Sequence, residues 1–162
     1  MVVGGSVEEL FRAEYARLVR ALAVSAGGAE AAADAVQDAF VQANRHWARI
    51  GQYDDPAAWL RRVAVNRISN QRRGRRRRTA ALPRISVVSP PVATDVHPDL
   101  DLRALVVALP LQQRTAVCLH YLADLSVEEV SDAMGIAVGT VKSHLHDARR
   151  SLSSRLREDH DG

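Results

Sequence analysis

Leu125-Ser126-Val127-Glu128-Glu129-Val130-Ser131-Asp132-Ala133-Met134-Gly135-Ile136-Ala137-Val138-Gly139-Thr140-Val141-Lys142-Ser143 decides how the C-terminal third of this chain folds. Ser126 followed three residues later by Glu129 is a capping box, in which hydroxyl and carboxylate reciprocally satisfy orphan amide donors at a helix start. A helix is therefore predicted from Val127, with Val130 and Met134 on its apolar face. Gly135 supplies a left-handed or tight turn, Ile136 plugs it, and a second helix is expected to start near Gly139 or Thr140. The pattern is a helix-turn-helix.

On that second helix Val141, Leu145, Ala148, Leu152 and Leu156 fall within roughly a quarter of the wheel, an apolar stripe that faces a core. The opposite arc carries Lys142, Ser143, His146, Asp147, Arg150 and Ser153, with Arg149 on its flank. Such donors suit base edges and phosphates, so this arc is the one expected to enter a major groove. An ordinary amphipathic helix with a solvated side is the plainer alternative, and the capping box and turn glycine argue against it.

The 162 residues are 47% hydrophobic but only 4% aromatic, which favours compact helical modules over a β-sandwich. No run of eighteen apolar residues exists and no signal-peptide pattern opens the chain, so a soluble cytoplasmic protein without membrane insertion is expected. Cys118 stands alone, which excludes an internal disulfide and cysteine-pair zinc motifs. Cys118, His120, His144 and His146 make a poor metal set because residues 144 and 146 point to different sides of one helix. No cofactor is expected. Nor is enzymatic activity, since no phosphate-binding glycine loop, His-Glu-x-x-His or nucleophile triad is present.

Charge is distributed unevenly. Residues 1–55 hold five Arg and eight acids, residues 56–98 ten Arg and one acid, and residues 99–162 seven basic and ten acidic groups. The positive excess sits in the middle, where a polyanion would be attracted. Six of the seven residues from Arg72 to Arg78 are arginines, which repel one another unless phosphate or solvent screens them. The run lacks the interleaved bulky apolar residues of a membrane-inserting helix. Adjacent prolines at 90 and 91 forbid a continuous helix, so residues 76–98 read as a flexible linker. Two small helical domains result, 1–75 and 99–162, in an all-α protein.

Helices are predicted near 6–25, 30–48 and 56–74, then near 100–108, 110–123, 126–134 and 139–157. Ser6 with Glu9 forms a second capping box, Gly27-Gly28 ends the first helix, and Asp55-Pro56 opens the third. In the second, Val36, Ala39, Phe40, Ala43 and Trp47 point one way, and Asp34, Gln37, Asp38, Val41 and Arg45 the other. Carboxylates four residues apart repel modestly, which suggests a docking surface for a basic partner. In the third, Leu60, Val63, Ala64 and Ile68 make the core stripe. The other side displays Arg62, Asn66, Ser69 and Arg73 with Trp59 at the margin. An aromatic beside guanidinium and amide groups suits single-stranded bases, although a helical Trp at a stripe margin usually packs.

Four stretches now carry a family resemblance: Asp34-Ala35-Val36-Gln37-Asp38-Ala39-Phe40, Trp59-Leu60-Arg61-Arg62-Val63-Ala64-Val65-Asn66, Leu109-Pro110-Leu111-Gln112-Gln113-Arg114 and Gly139-Thr140-Val141-Lys142-Ser143-His144-Leu145. In order and spacing the chain resembles a bacterial extracytoplasmic-function sigma factor, from about Leu10 to Leu156. The resemblance implies an initiation factor that binds RNA polymerase core, at its β′ clamp and β flap, and reads promoter DNA. It assigns Asp34, Gln37, Asp38 and Val41 to core binding. Trp59, Arg62, Asn66, Ser69 and Arg73, with the loop at Gln52 and Tyr53, are assigned to the opened minus-10 strand. Thr140, Lys142, Ser143, His146, Arg149 and Arg150 are assigned to the minus-35 element. An anti-sigma factor is a further implied partner. The family commonly has Arg where this chain has His144 and Asp147, an aromatic where it has Asn44, and Ala where it has Ser131. A stand-alone helix-turn-helix regulator with an N-terminal sensor is the alternative, but it leaves the central arginines unexplained.

Overall fold

The computed structural model describes residues 5–81 and 98–161, all helix and turn. Helix α1 (Val7–Ala26) begins on the predicted capping box: Ser6 Oγ accepts the Glu9 amide and the Glu9 carboxylate accepts the Ser6 amide. It ends at Gly27 (φ 87°), and Gly28 (φ 150°) completes a reversal that residues with a Cβ rarely adopt. Helix α2 (Ala29–Arg45) then returns along α1. Ala32, Ala35, Ala39 and Ala43 are fully buried, and their small side chains bring α2 close to the Leu18, Ala21 and Leu22 face of α1. Burying each of those leucines contributes about 1.5–3 kcal/mol.

A short α3 (Trp47–Ile50) plugs the end with Ile50. Gly51 follows with room for nothing larger, since a Cβ there would lie 2.9 Å from the Trp47 carbonyl and 3.0 Å from its ring. Helix α4 (Pro56–Ala81) starts where Asp55 Oδ1 accepts the Ala58 amide. It buries Leu60, Ala64, Val65 and Ile68. α4 runs past Gly74 to Ala81, so residues 76–81, read from sequence as linker, continue the helix. Arginine is a good helix former, and one glycine at a cost of about 1 kcal/mol does not stop a run of them. Of the rest of the expected linker, 82–97 lies outside the described residues and Pro98 opens the next helix, where its missing amide costs nothing.

The C-terminal block comprises α5 (Pro98–Val107), α6 (Leu111–Val117) continuing into a π-helical turn (Cys118–Leu122), α7 (Val127–Met134) and α8 (Val138–His160). Both predicted features of the helix-turn-helix are present: Ser126 and Glu129 exchange their capping bonds, and Gly135 is left-handed at φ 67°. Ser131 bonds its hydroxyl to the Ile136 carbonyl, while its own carbonyl accepts the Gly135 and Ile136 amides. These bonds tie the turn. On α8 the stripe Val141, Leu145 and Ala148 is buried, but Leu156, expected to continue it, is exposed because the helix outruns the core.

The two blocks pack on each other around one continuous core, α1 against α6 and the π-turn and α4 against α7. Ser25 and Thr115, both buried, share a hydrogen bond of 2.6 Å across this junction.

Candidate functional site

Three surfaces hold the residues singled out from sequence. On α2, Asp34, Gln37 and Val41 are exposed while Val36, Ala39 and Phe40 face inward, as the periodicity requires. Asp38 has a cation partner inside the chain. Arg67 of α4 bonds it at 2.8–2.9 Å, so the repulsion expected between Asp34 and Asp38 is offset inside the chain. Gln37 Nε2 donates to the Tyr15 hydroxyl at 3.1 Å. Beside it Phe11 stacks on Tyr15 and meets Phe40 edge-on, with centroids 4.5 and 5.1 Å apart. Phe11 and Val41 stay 44% and 49% exposed, so this face joins apolar area to acidic charge. The α1 aromatics were not singled out from sequence, although Phe11 and Tyr15 sit four residues apart and so share one face.

The second surface lies on α4. Trp59 is half-buried against the core, the packed alternative for a stripe-margin tryptophan. Arg62 donates from Nη1 to the Asp132 carbonyl at 3.2 Å, and its guanidinium lies over Gly135, where a Cβ would come within 2.5 Å. Asn66, Ser69 and Arg73 line a cleft of about 520 Å³ whose far wall is Pro110, Leu111, Gln112, Met134 and His144. His144 itself turns to Gln112, 3.2 Å away. Tyr53, on the loop after α3, is 41% exposed.

The third surface is the outer arc of α8. Thr140, Lys142, Ser143, His146 and Arg150 are all exposed along it, with Asp147 among them. Arg149, also exposed, lies on its flank beside His146 and Arg150. It donates to the Tyr121 hydroxyl at 3.0 Å and borders an apolar groove with Leu102, Val106, Tyr121, Leu122 and Leu152.

Behind the α4 surface sits a charge cluster that the sequence reading did not single out. Arg61, 5% exposed, bonds both Glu14 oxygens at 3.0 and 3.2 Å and reaches Glu129 on α7 at 3.1 Å. Arg17 completes it with a 2.8 Å bond to Glu14. Burial works against the Arg61 charge, but the hydrogen bonds and charge of Glu14, with Glu129 behind, hold its pKa above the ordinary arginine value. The Ser126 amide, then the Ser126 hydroxyl and Arg61, hold the Glu129 carboxyl below the usual carboxylate range, against some desolvation. A helical-wheel signal for the cluster exists. Glu14 shares the stripe of Leu18 and Ala21, and Arg61 that of Val65 and Ile68, and a charge on an apolar stripe asks for a buried partner. Elsewhere, burial pushes the Cys118 thiol up to about 11.

Comparison with known proteins shows the family of the chain. Residues 11–78 match Sigma-70 region 2 and residues 99–152 match Sigma-70, region 4. The chain is 32% identical over 151 residues to the ECF RNA polymerase sigma factor SigM of Mycobacterium tuberculosis, covering 92% of this chain and 76% of that one. It is 34% identical over 138 residues to SigL of the same species, covering 82% and 78%. Among solved structures, the sigma factor RpoE in complex with the anti-sigma factor NepR from Bartonella quintana superposes with a TM-score of 0.70 at 26% identity, covering 93% of this chain and 95% of that one. CnrH in complex with the cytosolic domain of CnrY gives 0.64 at 25%, covering 94% and 88%. With a region 2 match and a region 4 match in one chain whose described residues form helices and no strand, and relatives of this name matching along most of its length, the protein belongs to the extracytoplasmic-function RNA polymerase sigma factors.

Proposed function

We propose a residue-level division of labour for this sigma factor, which binds RNA polymerase core and directs promoter-specific initiation. The outer face of α2, with Asp34, Gln37, Asp38 and Val41 and the neighbouring Phe11, docks on the β′ clamp. Trp59, Arg62, Asn66, Ser69 and Arg73 hold the opened minus-10 strand, assisted by Tyr53. Thr140, Lys142, Ser143, His146 and Arg150 read the minus-35 element, with Arg149 on the flank, and the C-terminal block (99–162) sits at the β flap. The N-terminal block (1–75) does the rest. The catalytic chemistry belongs to the polymerase, and the working compartment is therefore the cytoplasm.

The observation that carries this reading is the location of the assigned side chains: most line the exposed α2 face, the α4 cleft or the outer arc of α8, within the two sigma-70 regions. Each good base contact offers about 1–3 kcal/mol of discrimination. A polymerase that holds both blocks turns the second DNA contact into an intramolecular event. Because RpoE and CnrH were solved with NepR and with the cytosolic domain of CnrY, an inhibitory protein partner is part of the proposal.

The test is run-off transcription by core enzyme with this chain on templates whose minus-10 or minus-35 element is scrambled in turn. Asn66→Ala should lose the difference between intact and scrambled minus-10 templates, and Arg150→Ala that between intact and scrambled minus-35 templates. The opposite pairing, or no pairing, refutes the assignment.

A further inference from the structure

Arg72, Arg75, Arg76, Arg77 and Arg78 belong to none of the three surfaces, yet α4 continues unbroken through them to Ala81. Arg73 is exposed, and a Cβ added at Gly74 would meet nothing within 4 Å, so nothing packs on that side of the helix where the run begins. The helix supplies no counter-charge of its own, because the chain has no Asp or Glu between Asp55 and Asp95. A loose segment can spread its charges apart. Six guanidiniums fixed in seven helical positions cannot, and they call for an external polyanion.

Two geometric observations select that polyanion. At about 100° per residue, Arg62, Asn66, Ser69 and Arg73 share one face of α4. Arg76 and Arg77 prolong this face, with Arg72 at its margin, whereas Arg75 and Arg78 fall on the opposite side. A strand held on the face therefore leads its adjoining duplex onto Arg76 and Arg77. The second observation is spacing. At about 1.5 Å of rise per residue the run occupies about 10 Å of helix axis, or one guanidinium per about 1.8 Å. Duplex DNA carries one negative charge per about 1.7 Å of its axis and a single strand one per about 3.4 Å, so the run matches the duplex. An acidic protein surface has no such regular spacing.

We propose that the α4 extension is a phosphate clamp for double-stranded DNA, in which Arg76 and Arg77, with Arg72 and Arg73 beside them, grip the backbone of the duplex adjoining the opened strand whatever its sequence. The clamp gives the chain an affinity for duplex DNA before any polymerase is bound. Guanidinium forks suit phosphate oxygens, and each contact releases a condensed counterion, so the grip weakens steeply with salt. Its place beside the opened strand rests on the assignment of the α4 face to the minus-10 element.

The test measures binding of the full chain to a labelled duplex of about 20 base pairs without promoter elements, by fluorescence anisotropy in about 50–200 mM salt and with no polymerase present. Glutamine is nearly as good a helix former as arginine, so Arg76→Gln with Arg77→Gln, and Arg75→Gln with Arg78→Gln, remove equal charge from opposite sides of one helix. The first pair should flatten the slope of log K against log salt by about 1.8, two contacts at about 0.9 each, and the second pair by less than about half of that. Equal changes in the two variants, or a change below about 0.9 in the first, overturn the clamp. A single strand of the same length should bind more weakly than the duplex, and equal or tighter binding overturns the choice of polyanion.

Backbone contacts carry no base identity, so in run-off transcription with core enzyme the first pair should leave the ratio between intact and scrambled minus-10 templates within about twofold of wild type. A larger change makes Arg76 and Arg77 base readers and overturns the proposal. The salt slopes need neither polymerase nor promoter. An Asn66→Ala variant that keeps full minus-10 selectivity therefore removes the site assignment, whereas failure of the slopes removes the clamp.

Discussion

Removing Arg61 while leaving Glu14 in place should be among the most destabilising single changes available in the N-terminal block. In Arg61→Met the aliphatic volume largely remains, but Glu14, 4% exposed, loses two charge-assisted hydrogen bonds and keeps only Arg17. Breaking a buried pair from one side costs about 3–5 kcal/mol. Arg17, whose side chain is 34% exposed, retains part of the pairing and brings the figure to about 2–4 kcal/mol. Glu129 adds little, because its side chain is 40% exposed and can hydrate. For a chain of this size that is a fall in Tm of roughly 5–15 °C. The discriminating variant is Arg61→Met with Glu14→Leu, which removes both charges and should recover to within about 1 kcal/mol of wild type. Urea unfolding followed by far-UV circular dichroism measures both. If Arg61→Met unfolds within about 1 kcal/mol of wild type, or the second substitution gives no rescue, the buried network does not hold the fold as described.

Charge reversal of Asp34 and Asp38 to Lys should weaken retention by polymerase core at least tenfold with helicity intact, and unchanged pull-down removes the α2 assignment. Arg150→Ala should cost about 1–3 kcal/mol at a minus-35-dependent promoter, whereas Arg149→Ala, already engaged by Tyr121, should cost less; equal losses in run-off assays contradict the geometry of α8. Gly135→Ala should destabilise by about 1–2 kcal/mol because its φ of 67° is left-handed, and a thermal melt identical to wild type refutes the strain. Glu129 has a lowered folded pKa, so its share of stability is full above the unfolded value of about 4.3 and is lost as pH falls through the lower folded one. Urea midpoints from pH 6 to 3 should show that loss in wild type and less of it in Glu129→Gln.

Local chemistry makes most of the elements legible in the sequence. Ser6 and Glu9, Asp55 and Pro56, Ser126 and Glu129, and the left-handed Gly27 and Gly135 all act within one helical turn, so the chain spells them out. The outward faces of α2 and α8 follow from period alone, because Val36, Ala39, Val141 and Leu145 leave one way to bury a stripe. What depends on contacts far along the chain is not legible. Ser25 and Thr115 are ninety positions apart, and Arg61 and Glu129 sixty-eight, so nothing local announces their pairing. The same holds for Arg67 neutralising Asp38 and Tyr121 drawing Arg149 aside. The continuation of α4 to Ala81 is hidden for another reason: charge repulsion and Gly74 both argue for an earlier end, while the helix propensity of the arginines prevails.

A sigma factor tells a polymerase where to start. Core enzyme, alone and with the purified chain, transcribes a pool of genomic fragments, and the RNA 5′ ends are mapped. A discrete set of new starts that share two sequence elements at fixed spacing should appear only with the chain. Starts no different from those of core enzyme alone would refute promoter selection by this chain.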